Sequence, residues 1–206
     1  MTVIEELIEI FRRFPGVGPR QAERFVYYLL RQNKNYLDKI SRLIPSLSNS
    51  VKICQSCQKF YLSNTSDSRV CKICTDKNRQ KNILMVVAHD VDLDSIEKSE
   101  TYDGLYFVLG GTIPILEKNF NQKIRLNALQ ALVRERAEKD NLKEIILALN
   151  ANPEGENTAM IIHRELKAIT DKYNIKIKML GRGLSTGTEI EYSDTETIKN
   201  ALENRF

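Results

Sequence analysis

Four cysteines lie within one stretch, CQSCQKFYLSNTSDSRVCKIC, as two C-x-x-C pairs: Cys54 with Cys57, and Cys71 with Cys74. Each pair can turn two sulfurs toward one point, and four thiolates about 2.3 Å from a common ion make the closed tetrahedral site of structural zinc. With sulfur at all four positions, no coordination site is left for substrate or water. The expectation is therefore one structural Zn²⁺ per chain, held by Cys54, Cys57, Cys71 and Cys74. A redox dithiol is the competing reading, but nothing singles out either pair as an activated nucleophile.

A second stretch, RRFPGVGPRQAERF at positions 12–25, sets a Pro-Gly and a Gly-Pro close together and then resumes with basic and apolar residues in helical order. Gly16 and Gly18 are expected to permit positive φ and close backbone approach, and Pro19 suits the first position of a helix, where no amide donor is lost. The result is a helix-hairpin-helix whose amides and helix N-terminus converge on a spot suited to a phosphate. Arg20 and Arg24 follow one turn apart, placed to meet phosphates without reading bases. A plain corner between two helices is the bland alternative.

Acids form the third group. Asp90, Asp92 and Asp94 follow one apolar run, and Glu154 and Glu156 follow another. Such acids at strand ends could hold Mg²⁺ for phosphoryl chemistry. They could equally be helix caps and first-turn acids, the safer reading for Asp90 and Asp92. His89 stands beside these acids and could be a ligand, whereas His163 reads as a surface residue of a helix. The Gly-Gly at positions 110–111 lacks the spacing of a dinucleotide fingerprint.

The elements that must position these groups follow from periodicity. Ile4, Leu7, Ile8 and Phe11 recur at helical spacing; so do Ala22, Phe25, Val26, Leu29 and Leu30, and then Tyr36, Ile40, Leu43, Ile44 and Leu47. Three amphipathic helices are expected in the first fifty residues. Beyond the cysteines come short apolar runs at 83–87, 105–109, 144–149 and 175–180, read as buried strands of a mostly parallel sheet. Helical stretches lie between them, with Leu126, Leu129 and Val133 on one face, and Ala159, Ile162, Leu166 and Ile169 on another. The fold class is α/β: an N-terminal helix-hairpin-helix at 1–53, a Cys₄ finger at 54–78, a doubly wound α/β domain at 79–180 and a C-terminal segment at 181–206. Ligands of such sheets sit at the carboxyl ends of the strands, where the acids fall.

Charge is uneven. Of the 31 Lys and Arg in the 206 residues, 14 stand in the first 80 against 7 acids, whereas 17 face 20 acids in the remainder. A basic first part suggests a polyanion, and an acidic second part a protein partner. No apolar run approaches the roughly 20 residues of a membrane span, and the N-terminus has no apolar core or cleavage site of a secretory signal. A cytoplasmic location is expected, and there two disulfides would be out of place.

Taken in order, these stretches resemble the bacterial recombination mediator family RecR over essentially the whole chain. FPGVGPRQAERF is similar to its helix-hairpin-helix, CQSC and CKIC to its finger, and VVAHDVDLDSIE with GLYFVLGG to the start of a Toprim domain. LALNANPEGENTA is similar to the second acidic Toprim motif, and GRGLSTGTEIEYSDTETIKNAL to the C-terminal segment. The resemblance implies a non-enzymatic protein that forms ring-shaped homotetramers around DNA. With RecO or RecF, such proteins help load RecA on single-stranded or gapped DNA. It implies DNA contact at Arg20 and Arg24, with Gly16 and Gly18 shaping the hairpin, and partner contact at Asp92, Glu154 and Glu156. One position departs: the glutamate that normally ends the first Toprim strand is Ala88 here. Asn150 and Asn152 stand where catalytic Toprim enzymes carry an Asp-x-Asp. The alternative, a metal-dependent Toprim nuclease or topoisomerase-like enzyme using Asp90, Asp92, Glu154 and Glu156, therefore lacks its usual general acid/base and metal ligands.

Overall fold

Helix α1 (Val3–Arg12) begins with a capping box, in which Glu5 N–H donates to Thr2 Oγ1 at 3.3 Å and Thr2 N–H to Glu5 Oε2 at 2.7 Å. α2 (Pro19–Leu30) has Pro19 at its first position, and α3 (Lys34–Ser50) is capped by Asn33, whose Oδ1 accepts from Tyr36 N–H at 2.9 Å. In this computed structural model, which describes residues 1–62, 69–117, 123–181, 184, 187 and 189–203, the chain divides into two units, Met1–Lys52 and Ile53–Phe206.

The three expected helices form, but their apolar stripes do not close a core of their own. Phe11 packs edge-to-face on Phe14 and Phe25 with ring centroids 5.5 and 5.8 Å apart, and only Ala22 and Val26 are fully buried. On α3 the stripe expected to pack inward stays in water: Leu43, Ile44 and Leu47 are 54%, 62% and 60% exposed.

The finger comes next in the chain. Strands β1 (Val51–Ile53) and β2 (Phe60–Leu62) pair around the first cysteine knuckle, and the short α4 (Lys72–Thr75) carries the second. Finger residues 63–68, and residues 182, 183, 185, 186, 188 and 204–206 of the expected C-terminal segment, lie outside the described residues. There follow β3 (Gln80–Val87), α5 (Asp90–Lys98), β4 (Gly104–Val108), α6 (Leu126–Lys139), β5 (Glu144–Ala148), α7 (Pro153–Tyr173), β6 (Lys176–Met179), a 3₁₀ turn (Ile190–Tyr192) and α8 (Thr195–Glu203). The four long strands pair in parallel in the order β4-β3-β5-β6, with Val87 opposite both Val108 and Ala148.

The continuous apolar runs now have a physical account. Successive strand residues point to opposite faces. Leu84 and Val86 of β3, Leu105 and Phe107 of β4, and Ile145 and Leu147 of β5 enter a large core under α6 and α7. Their neighbours Met85, Val87, Tyr106, Val108 and Ala148 enter a second, smaller core with Leu93 of α5. Strands β3, β4 and β5, covered on both faces, have no polar side to alternate with. By contrast β6, expected as a buried run, lies at the sheet edge and alternates, with Lys176 and Lys178 exposed beside half-buried Ile177. The chain leaves β3 toward β4 on one side and reaches β5 on the other. The strand order thus reverses at β3 and β5, and the crevice at the carboxyl ends of these two strands is where sheets of this kind place their sites.

Candidate metal centre and nucleic-acid interface

The four cysteine sulfurs lie within 4.8 Å of one another, with Cys54 Sγ 3.8 Å from Cys74 Sγ and Cys57 Sγ 3.5 Å from Cys71 Sγ. All four are free of disulfides; Cys54, Cys57 and Cys71 are buried and Cys74 partly so. Sulfurs about 2.3 Å from a central ion at tetrahedral angles are separated by about 3.8 Å, so four thiols gathered this closely fit a metal. Cys71 N–H donates to Cys54 Sγ at 3.3 Å, which favours thiolate character there. Hydrogen bonds from Cys57, Cys71 and Cys74 hold the Cys54 thiol well below the usual thiol range. The same crowding, with Cys54 foremost, pushes Cys57 up. Four sulfurs packed this closely cannot all ionise without a cation between them. Among the described residues this is the one group of three or more potential ligands close enough to share an ion.

The finger is joined to the edge of the sheet. Val108 N–H of β4, the edge strand, donates to the Cys57 carbonyl at 2.8 Å. Arg125 donates to the Gln58 carbonyl at 3.0 Å and to the Val108 carbonyl at 3.2 Å, with its guanidinium 5.9 Å from the centroid of the Phe60 ring. Arg136, buried on α6, donates to Ser56 Oγ at 3.0 Å and pairs with Asp140 at 3.3 Å. Sequence reasoning missed these two arginines. For Arg136 a signal existed: it stands three residues after Val133 and seven after Leu129, on the apolar face of α6.

The same joint absorbs two of the acids after β3. Asp90 Oδ1 accepts from Phe60 N–H at 2.7 Å, and Asp94 forms an ion pair with Lys59. Asp92 caps α5, its Oδ2 accepting from His89 N–H at 2.8 Å. The capping reading thus fits Asp92, the third residue of α5, whose carboxylate takes the N–H of the N-cap His89. Asp90, a first-turn residue, caps nothing and is engaged by the finger. His89 is exposed at the N-cap. After β5, Asn152 caps α7, its Oδ1 accepting from Gly155 N–H at 2.8 Å. A Cβ at Gly155 would lie 2.0 Å from the Asn150 carbonyl oxygen, so this tight entry to the helix requires glycine. Exposed Glu154 accepts from Thr112 Oγ1 at 3.3 Å, whereas Glu156 and exposed His163 line a hollow of about 760 Å³ with Met179 and Asn200. Ala88 is buried directly after β3, its carbonyl accepting from Gly110 N–H at 3.0 Å. A buried methyl thus occupies the place where a catalytic Toprim strand would end in a carboxylate.

In the first unit, Gly16 adopts φ +74°, which favours glycine, and Val17 N–H closes the turn on the Phe14 carbonyl at 3.1 Å. Gly18 differs from expectation: at φ −81° it is the extended N-cap of α2, with nothing within 4 Å of where a Cβ would be. Positive φ is not its reason for being glycine. The missing side chain leaves the N-terminus of α2 without a side-chain cap, and Gly18, Pro19, Arg20, Gln21 and Arg24 line an open hollow of about 570 Å³. Arg20 and Arg24 are exposed, and among the described residues neither has a carboxylate partner. The structure therefore brings Gly18, Arg20 and Arg24 to one hollow, with Gly16 shaping the turn before it. Unneutralised guanidiniums beside uncapped amides are the donors and charge that anion binding requires.

Comparison with known proteins places this order of helical hairpin, four-sulfur finger and parallel sheet among recombination proteins. The Toprim domain family matches residues 82–180, the RecR helix-hairpin-helix family residues 4–47, and the RecR C-terminal family residues 183–205. The recombination protein RecR of Lactobacillus helveticus is 34% identical over 202 residues, 98% of this chain and 96% of the relative. That of Dehalococcoides mccartyi is 36% identical over 203 residues, 98% and 93% of the two chains, and that of Endomicrobium trichonymphae 35% over 202 residues, 98% and 96%. The chain belongs to the RecR family. Membership supports a role in recombination and repair, and among the described residues no helix is long and apolar enough to cross a membrane.

Proposed function

We propose that the protein is a cytoplasmic, non-enzymatic recombination mediator. It grips DNA through the hairpin between α1 and α2, and it recruits a RecO- or RecF-type partner through the Toprim acids Asp92, Glu154 and Glu156, so that RecA is loaded on single-stranded or gapped DNA. The carrying observation is the hollow at the start of α2: an uncapped helix N-terminus flanked by Arg20 and Arg24, both exposed and unpaired among the described residues. Contacts of this kind go to phosphates and are independent of sequence. The apolar stripe of α3, left in water by the single chain, supports assembly of several copies, read here as a ring-shaped homotetramer. Zn²⁺ is the metal that suits four thiolates in a closed site. It would be held by Cys54, Cys57, Cys71 and Cys74, and its contribution is to fix the finger against β4. Ala88 and Asn150 supply no carboxylate, which weighs against a nuclease or topoisomerase reaction at the Toprim crevice.

The test is a salt titration of wild type and Arg20→Ala/Arg24→Ala on gapped DNA, with particle mass followed by light scattering. Wild-type affinity is expected to fall steeply with salt. The double variant is expected to lose affinity at least tenfold, with a salt slope shallower by about two, one for each phosphate contact removed. Unchanged affinity and slope in a folded double variant would move the DNA site elsewhere.

A further inference from the structure

The basic face of α2 does not stop at the hairpin. At about 100° per residue, Arg20, Arg24, Tyr27 and Arg31 share an arc about 60° wide, running about 16 Å along the helix. All four are exposed. Among the described residues Arg31, like Arg20 and Arg24, has no carboxylate partner. A second hollow, of about 360 Å³, is lined by Glu23, Arg24, Tyr27, Tyr28 and Arg31.

The two tyrosines differ. Tyr28 is tied to α3, its ring edge-to-face with Tyr36 at 6.4 Å between centroids. Tyr27 is 48% exposed and has no aromatic partner among the described residues. An aromatic ring held in water between two free guanidiniums, Arg24 one turn before it and Arg31 one turn after, is the arrangement that binds single strands: cations follow the backbone while a base lies on the ring. In a duplex the faces of paired bases are hidden in the stack and offer such a ring nothing to lie on.

We propose that the outward face of α2 is a track for single-stranded DNA, with Tyr27 as the base-stacking platform and Arg31 as the phosphate contact beyond it. The proposal rests on the reading of the hairpin as a phosphate clasp and extends it from phosphate holding to discrimination of strand form. The Arg20–Arg24 end is indifferent to whether bases are paired, and the Tyr27 end requires them free.

The experiment compares wild type, Tyr27→Ala, Tyr27→Phe and Arg20→Ala/Arg24→Ala, all full length. Three probes of equal length are used at one low salt concentration: oligothymidylate, an abasic oligodeoxynucleotide and a duplex. Tyr27→Ala is expected to weaken oligothymidylate binding about tenfold while leaving the abasic and duplex probes within about twofold, and Tyr27→Phe to restore wild-type affinity. Equal losses on oligothymidylate and the abasic probe, or no loss on either, in a Tyr27→Ala protein with an unchanged circular dichroism spectrum would overturn the stacking platform. A change in particle mass without a change in DNA affinity would also overturn it, by making the face a protein interface. If Arg20→Ala/Arg24→Ala retains affinity for all three probes, the clasp fails and the track with it. If that variant loses all three and Tyr27→Ala none, the clasp stands and only the stacking inference falls.

Discussion

In the α/β domain the strands send alternate side chains into two separate cores, whereas helices α1–α3 place only Ala22 and Val26 fully out of water. The difference teaches what each part depends on. A covered four-stranded sheet stabilises itself. A helical unit of some fifty residues that leaves Leu43, Ile44 and Leu47 exposed has little buried apolar surface to stabilise it, and it presents unpaired arginines besides. Its stability should therefore respond to DNA and to further copies of the chain, and that of the sheet to neither.

The largest perturbation expected on the sheet side of this comparison is metal removal. Apparent binding energies of about 10 kcal/mol or more at thiolate zinc sites count as folding energy. The finger also supplies edge strand β4 with the Cys57 carbonyl, and Arg125, at the start of α6, ties the finger's Gln58 carbonyl to that of Val108. Chelation should release hydrogen-exchange protection first in the finger and then in β4, and leave α1–α2 unaffected. Equal loss in both units would show that they share one cooperative transition. Next in size is Phe107→Ala. Phe107 is fully buried in the larger core, so the substitution should cost about 3–5 kcal/mol by denaturant unfolding of the α/β domain. It should leave the affinity for gapped DNA per folded molecule unchanged.

How much of this was legible in the sequence depends on whether a feature repeats locally. The C-x-x-C spacing, the strand runs and the helical stripes were readable because each is a short-range pattern, and so were Asp92 as a cap and the hairpin at Gly16. The joint between finger and sheet was not. Lys59 reaches Asp94, Arg125 reaches Gln58 and Arg136 reaches Ser56 across tens of residues, through polar groups that no period marks out. Gly18 was misread because glycine is compatible with both a left-handed turn and an extended N-cap, and only the backbone angle separates them. The stripe of α3 was read correctly as apolar. A pattern of apolar residues says that a face seeks burial, and it leaves open which molecule supplies the cover.

That last point gives the smallest expected effect on folding and a sharp test of the comparison. Leu43 and Leu47 are more than half exposed, so Leu43→Ser/Leu47→Ser removes little burial within the chain. Substitutions at such positions ordinarily shift stability by about 0.5 kcal/mol or less each. If copies of the chain cover this face, the same change places hydroxyls in an apolar interface. Particle mass by light scattering should then fall while exchange protection in β3, β4 and β5 stays as in wild type. DNA binding should weaken as well, because separate hairpins lose the advantage of acting together on one strand. Unchanged mass in the double variant would mean that α3 is not the assembly surface. The exposed stripe would then be covered neither by its own chain nor by a second copy, and the α1–α2 contact and the Tyr28–Tyr36 pair would have to hold the N-terminal unit.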